Sequence, residues 1–284
     1  MNVLRMTKAN SRKSSNRLNN LDGKSWVKAT KSWFVINPPR RTQTQIIHPA
    51  KFPEELVRRF VRFFTKEDAW VLDPFAGIGS TMIACKSLKR NSVGIELNPE
   101  FARIGLKLIQ DQSGSGKHAI LVGDSLNVAD LISTAYGESV PTFEYLITSP
   151  PYWNMLSKSR GGNETSHKER KKKGLKTKYS DSADDFGNIE NYDEYIDSIG
   201  IVFDRIKPFL KSGAYLTIVI QNMRDVDGNL RTIAWDLANR ISNSYSLKQE
   251  QIWCQDNKQL GCWGYPTTYV SNVHHHYCLN FQNA

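Results

Sequence analysis

The chain predicts a doubly wound α/β fold, built on a seven-stranded, mostly parallel sheet whose last strand is antiparallel. Three observations point there. Short apolar runs alternate with helical spacing from residue 54 onward, a glycine-rich turn follows the first run, and no helix separates the last two runs. Strand-helix alternation requires parallel strands and right-handed crossovers. A final pair without a crossover can lie antiparallel.

Residues 54–64 place Leu56, Phe60 and Phe63 or Phe64 on one helical face, just after Pro53, a residue suited to opening a helix. Residues 69–72 form a short buried strand, followed by a helix near 80–90, a strand at 92–95, a helix near 99–111 and a strand at 119–122. The fourth strand covers 143–147. Beyond it, a helix over 191–210 leads to a strand at 215–220, a helix near 231–243 and strands at 247–254 and 273–281. With 284 residues and 39% hydrophobic content, one large domain can bury a sizeable core.

No apolar run approaches the roughly 20 residues that a membrane helix needs, and the polar, basic start lacks a signal-peptide core. The expectation is a soluble cytoplasmic protein with no membrane partner. Cys85, Cys254, Cys262 and Cys278 form no CxxC pair, which suits reduced thiols, and their spacing to the histidines near 275 gives no zinc framework. No metal is expected.

The net charge of +10 is unevenly distributed. Residues 1–47 hold ten Lys or Arg against Asp22 alone, residues 155–180 hold nine against Glu164 and Glu169, and the remainder is mildly acidic. The chain therefore divides into a basic N-terminal arm over 1–47, without order in its first 24 residues, and a domain over 48–284 carrying a basic insertion at 155–190. Two basic excursions on an acidic body suit a polyanion gripped from two sides, although lysine-rich loops are also often just solvated. Trp26, Trp33 and Phe34 stand among cations in the arm; packing on the domain is the first reading and stacking on bases the second.

Two motifs carry chemistry. Asp73-Pro74-Phe75-Ala76-Gly77-Ile78-Gly79-Ser80 lies between the first strand and its helix, where glycines allow a tight turn and helix amides face a ligand. A dinucleotide turn would place a third glycine at Met82, which argues against pyrophosphate there. Glu96, ending the second strand 23 residues after Asp73, stands where an acid accepts from ribose hydroxyls. The second motif, Thr148-Ser149-Pro150-Pro151-Tyr152-Trp153, puts a hydroxyl, a rigid turn and two rings at a strand's carboxyl end. Its prolines leave the carbonyls of Ser149 and Pro150 outside any helix, free to face a planar amine. Pro-Pro-Tyr also occurs in extended recognition segments, but those lie in polar linkers rather than against a buried strand.

This second motif resembles the catalytic signature of the S-adenosylmethionine-dependent amino-methyltransferases of DNA, and its Thr-Ser-Pro-Pro-Tyr-Trp form is similar to the cytosine-N4 branch; adenine-N6 enzymes more often carry Asp-Pro-Pro-Tyr. The resemblance implies a Rossmann-like class I methyltransferase fold. It implies that Ser149, Pro150, Pro151 and Tyr152 form the catalytic turn, with Ser149 and the Pro150 carbonyl accepting from the exocyclic amine and Tyr152 stacking on a base flipped out of the duplex. The Asp-Pro-Phe-x-Gly-x-Gly-Ser turn resembles the family's cofactor motif, with Asp73 reaching the methionine moiety of S-adenosyl-L-methionine and Pro74, Phe75, Gly77, Gly79 and Ser80 around it. Glu96, Leu97, Asp124 and Ser125 would complete the cofactor site, although Asp124 could equally cap the next helix.

Upstream, His48-Pro49-Ala50-Lys51-Phe52-Pro53 resembles the motif that closes over the amino-acid end of the cofactor, so Lys51 and Phe52 join the set. This order, cofactor motifs before the catalytic one, differs from many cytosine-N4 enzymes and leaves the place of a recognition domain open. Double-stranded DNA is the expected partner, held by Trp153, Lys158, Arg160, Lys171, Lys172 and Lys173, and a restriction endonuclease acting on the same site is the cognate protein partner that the resemblance implies. Methylation of cytosine carbon 5 is not expected, because no Pro-Cys pair supplies its nucleophile. The expected reaction is methylation of the N4 amine of cytosine in duplex DNA. Adenine-N6 or RNA-guanine amino-methylation is the nearest alternative, and a silent nucleic-acid-binding module the third. His275-His276-Tyr277 resembles the family's late His-Glu-Tyr motif with histidine in place of the acid, read as a strand start first and pocket lining second.

Overall fold

The computed structural model describes residues 17–39, 52–153, 185–225, 228–262 and 264–284. In chain order these form α1 (Gly23–Ala29), β1 (Trp33–Val35), α2 (Glu54–Phe64), β2 (Trp70–Asp73), α3 (Ser80–Ser87), β3 (Asn91–Glu96), α4 (Pro99–Asp111), β4 (His118–Val122), α5 (Val128–Tyr136) and β5 (Phe143–Thr148). Then follow α6 (Tyr192–Ile206), β6 (Leu210–Ile220), a small hairpin of β7 (Met223–Arg224) and β8 (Leu230–Arg231), α7 (Ile233–Ile241), β9 (Ser246–Cys254) and β10 (His275–Gln282).

Local chemistry explains the boundaries. Pro53, at φ −72° and ψ 143°, opens α2, whose first turn carries Glu54 and Glu55 and whose Leu56, Val57, Phe60, Val61 and Phe64 repeat at helical spacing and are all buried. Asn98 caps α4 by accepting from the Glu100 amide, with Pro99 in the first helical position. Pro208 ends the helical run before β6, which begins at Leu210, five residues earlier than the apolar pattern suggests.

The sheet order is β1-β9-β10-β6-β5-β2-β3-β4. Strands β2 to β6 run parallel, while β10 is antiparallel to both β6 and β9. Leaving β1 aside, this is the seven-stranded, mostly parallel sheet with an antiparallel last strand that the sequence predicts. Adjacent residues serve opposite faces, as period-two alternation requires. Val71, Tyr145, Ile147, Val219 and Cys278 join the core under α2 and α3, whereas Leu72, Leu146, Ile218, Ile220 and Leu279 join the core under α5, α6 and α7.

Four features depart from expectation. The main sheet has eight strands rather than seven, because Trp33–Val35 pairs in parallel with β9 at the edge. The helix α5 and the β7-β8 hairpin were not foreseen; α5 buries only Val128 and Ile132, so its periodic signal is thin. Residues 17–24, expected to lack order, are docked: Asn19 donates to the Phe63 carbonyl at 2.5 Å, and Asp22 caps α1 by accepting from the Ser25 amide at 2.7 Å. Trp26 then packs on Phe63 at 4.8 Å, and Phe34 on Phe60 at 5.9 Å, in agreement with packing as the first reading of these aromatics. The basic stretch 155–180 lies outside the described residues.

Parallel β2, β3, β4 and β5 all end at one edge of the sheet, where β9 also ends and β10 begins. That edge holds both sequence motifs. Behind it, Met82 of α3 lies over Gly94 of β3, where an added Cβ would come within 2.2 Å of the Met82 methyl and 2.6 Å of the Ala76 Cβ. Replacing Gly94 by alanine is expected to cost about 1–3 kcal/mol through overpacking, read as a lower urea midpoint at unchanged slope.

Candidate active site

The glycine-rich turn is held from three directions. The Ala76 amide donates to the Ile95 carbonyl at 2.8 Å, the Gly77 amide to Glu96 Oε2 at 2.8 Å, and the Gly79 amide to the Ala76 carbonyl at 2.9 Å. Gly77 and Gly79 adopt φ of 54° and 83°, the left-handed region, and Gly79 is the residue from which α3 starts. A backbone so folded leaves the first amides of α3 facing the sheet edge. Ser80 and Thr81 are buried at that start.

Asp73 is fully buried at 0% exposure. Its Oδ1 accepts from Thr148 Oγ1 at 2.6 Å and the Phe75 amide at 3.1 Å, and its Oδ2 from Thr81 Oγ1 at 2.5 Å. Burial raises its pKa to about 6 despite these donors. Glu96 accepts from the amides of Gly77 and Asn98 at 2.8 and 2.9 Å, and burial, with smaller repulsion from Asp73 and Asp185, lifts it to about 7. Asp124 caps a single turn over Ser125–Asn127 by accepting from the Leu126 amide at 2.9 Å, the alternative that its position left open. Ser125 reaches back to the Pro74 carbonyl at 2.5 Å, joining the loops after β2 and β4.

The catalytic-type turn is fastened at most of its length. Thr148 bonds Asp73, the Pro151 carbonyl accepts from Tyr195 at 2.8 Å, and the Tyr152 hydroxyl lies 3.0 Å from His276 Nδ1 and 3.4 Å from Ser149 Oγ. Among the described residues the Pro150 carbonyl meets no hydrogen-bond donor, which leaves it and the Ser149 oxygens as acceptors beside the Asp73 loop. His276 stacks on Trp253 at 4.5 Å, and burial pushes its pKa down to about 3. It is therefore neutral. Burial raises the Tyr152 hydroxyl well above its ordinary value, so the tyrosine keeps its proton.

The structure thus gathers Asp73, Pro74, Phe75, Gly77, Gly79, Ser80, Glu96, Asp124, Ser125 and Ser149 to Tyr152 at one sheet edge, with Leu97 half-buried directly after Glu96. Phe52 packs instead on the core under α2. Trp153, read as a substrate contact, is packed inside at 7% exposure: its indole donates to the Ile189 carbonyl at 3.0 Å and its ring meets Tyr192 edge-on. Lys51, Lys158, Arg160, Lys171, Lys172 and Lys173 lie outside the described residues. Thr81, Thr148, Asp185, Phe186 and Tyr195 belong to the site without having been read as such; Phe186 stands edge-on to Phe75 at 5.6 Å. Only Thr148 carried a signal, by preceding Ser149 at the end of an apolar run. Among the described residues no cluster of three metal-ligating side chains occurs, and no helix is long and apolar enough to cross a membrane.

Residues 2–107 match a family model described as DNA methylase, of the N6/N4 type. The match includes Asp73 to Ser80, Glu96 and Leu97 and ends before Asp124, Ser125 and the Ser149 turn. The type II methyltransferase M.Cfr9I of Citrobacter freundii is 43% identical over 65 residues, 23% of this chain and 22% of that protein. The type II methyltransferase M.MjaI of Methanocaldococcus jannaschii is 44% identical over 80 residues, 26% of each. The aligned stretches thus span about a quarter of the length of these curated relatives. Among solved structures, the N-methyltransferase NodS of Bradyrhizobium japonicum, determined with S-adenosyl-L-homocysteine, is 9% identical with a TM-score of 0.44, over 81% of this chain and 85% of that one.

Asp73 and Glu96 have pKa values near 6 and 7 in the folded protein, above their ordinary 3.8 and 4.5. The native state therefore holds more protons than the unfolded chain between about pH 4 and 7, and stability contributed by these groups falls as pH rises through that window. Urea unfolding across this range is expected to show the fall, and Glu96→Gln to flatten its upper part.

Proposed function

We propose that the protein is an S-adenosyl-L-methionine-dependent DNA amino-methyltransferase acting on the N4 amine of cytosine. The carrying observation is the hydrogen bond from Thr148 to Asp73, which sets the Ser149-Pro150 acceptors against the glycine-rich turn at the ends of neighbouring strands. The match of residues 2–107 to a DNA-methylase family supports the cofactor half of the reading.

The residues present suit this cofactor. Glu96 stands where a carboxylate accepts from two ribose hydroxyls, Asp124 and Ser125 lie across the turn for the adenine end, and Leu97 and Phe75 supply apolar walls beside them. When bound, S-adenosyl-L-methionine supplies an activated methyl group on a positively charged sulfur. The buried Asp73 and the half-buried Glu96, whose pKa values are raised, favour a cationic ligand over an anionic one.

An exocyclic amine is a weak nucleophile because its lone pair is delocalised into the ring. Ser149 and the Pro150 carbonyl accept from its two N–H bonds, favour a pyramidal nitrogen and hold it in line for transfer. The Tyr195 bond to Pro151 and the Tyr152 bond to His276 stiffen the turn that carries these acceptors. A base inside a duplex cannot reach this edge, so it must leave the stack at a cost of a few kcal/mol, offset by contacts in the pocket. Ser149 in place of aspartate favours cytosine over adenine. Pairing with a restriction endonuclease of the same site is the biological setting that the type II relatives suggest.

Incubation of the full chain with labelled S-adenosyl-L-methionine and unmethylated genomic DNA, followed by nucleoside analysis, is expected to yield N4-methylcytosine. N6-methyladenine would move the assignment to the adenine branch, and DNA that stays unlabelled would overturn it. Ser149→Ala is expected to lower kcat by roughly 10²-fold, as for loss of one charge-stabilising contact, while leaving the urea midpoint near that of the parent.

A further inference from the structure

Residues 255–274 join β9 to β10 at the same sheet edge as the Ser149 turn. Its described residues, beyond the buried Gln255, are largely exposed and yet tied by hydrogen bonds. The Gln255 amide donates to the His274 carbonyl at 2.8 Å, and Asn272 exchanges two hydrogen bonds with the Gly261 backbone at 2.9 and 3.0 Å. At the tip the amides of Thr267 and Thr268 both donate to the Gly264 carbonyl, and Gly264, at φ 72°, has no room for a Cβ beside the Thr268 carbonyl. Asn37 holds the base through Asp256 at 2.6 Å. On this braced finger Leu260, Tyr265 and Tyr269 are 72%, 82% and 87% exposed. Trp235 of α7 is half exposed and stands edge-on to Tyr277 of β10.

A hairpin held at base, neck and tip that still presents two tyrosines to solvent is suited to offering flat rings to a partner. The partner's chemistry follows from position. The finger leaves β9 one residue after the Trp253 that stacks on His276, the same His276 that meets Tyr152. Burial lowers the proton affinity of His275 and His276 at the foot of the finger, and the charge of Lys258 lowers it further, so neither ring adds a charge there. Residues 255–274 hold only Lys258 and Asp256 as charged groups, so rings and not bulk charge distinguish the surface.

We propose that this finger contacts nucleic acid beside the target, Tyr265 or Tyr269 stacking on the base faces exposed when the target leaves the helix. The inference rests on the amino-methyltransferase reading of the Ser149 turn. Extruding a base opens a gap bounded by two unstacked π-faces, and a ring presented from the rim of the pocket fills it.

The test measures binding of the full chain to a short fluorescent duplex, either intact or carrying one abasic site, alongside methyl transfer to genomic DNA. The parent is expected to bind the abasic duplex more tightly, and Tyr265→Ala with Tyr269→Ala to lose about ten-fold on that duplex and little on the intact one. The paired change to phenylalanine keeps the rings and is expected to keep the preference. An alanine pair that binds the abasic duplex like the parent, or a parent without preference, overturns the inference. Methyl transfer by the parent separates the two readings: transfer with an unaltered alanine pair sinks the finger alone. Absence of transfer sinks the enzymatic reading, and the binding comparison still decides the finger.

Discussion

The site depends on the Asp73 carboxylate. An ion at that depth without partners would cost several kcal/mol, and the three donors from Thr81, Thr148 and Phe75 offset that cost while fixing where their own backbones lie. One donor begins α3, one ends β5, and one belongs to the turn between β2 and α3. Because Ser149 follows Thr148 directly, the acceptors that would meet an amine are positioned by the same carboxylate that shapes the glycine-rich turn. Glu96 extends the linkage to β3 through the Gly77 amide, and Ser125 extends it to the loop after β4 through the Pro74 carbonyl. Four strand ends are thereby tied to a single turn.

A second line of contacts reaches the catalytic-type turn from the other side. Tyr152 meets His276, His276 stacks on Trp253, and the Trp253 indole donates to the Ile36 carbonyl at 2.8 Å. With His276 neutral and Tyr152 protonated, the tyrosine has a proton to give to Nδ1, so their contact is an uncharged hydrogen bond over the ordinary pH range. Ile36 follows the edge strand β1, which explains why the described part of the basic arm is docked instead of loose. Its Phe34, covered by Phe60 and by the Arg59 guanidinium at 4.2 Å, anchors the strand whose neighbour carries Trp253.

Much of this was legible in the sequence, and the failures have two causes. Elements with strong periodicity, such as Glu54–Phe64 and Pro99–Asp111, are read to the residue, because cap chemistry and buried spacing coincide there. The strand Trp33–Val35 is too short to show alternation and exists only because β9 offers it an edge. Trp153 illustrates a different limit. Its neighbours in the motif invite a substrate role, but Ile189, Tyr192 and Arg231, which enclose it, come from segments far along the chain. The same holds for Phe186, a single aromatic among polar residues whose partner Phe75 is more than a hundred positions away.

The turn after β2 also decides which ligand chemistry the fold can accept. A doubly wound sheet with a glycine-rich first turn is compatible with a dinucleotide as well as with other adenosine-bearing ligands. Here the third glycine of a dinucleotide turn is replaced by Met82, and the close approach has moved to Gly94, so the helix packs on the sheet through a methionine and not through bare backbone. A pyrophosphate brought to this turn would face Asp73 and Glu96, whose pKa values are already raised by burial and, for Glu96, by neighbouring acids. Added negative charge would raise them further, toward protonation at neutral pH, and weaken both carboxylates as acceptors. A ligand carrying positive charge does the reverse: it lowers both values, strengthens the Thr148 bond to Asp73 and firms the position of Ser149. The charge of a ligand at this turn and the geometry of the Ser149 acceptors would thus be coupled through one buried carboxylate.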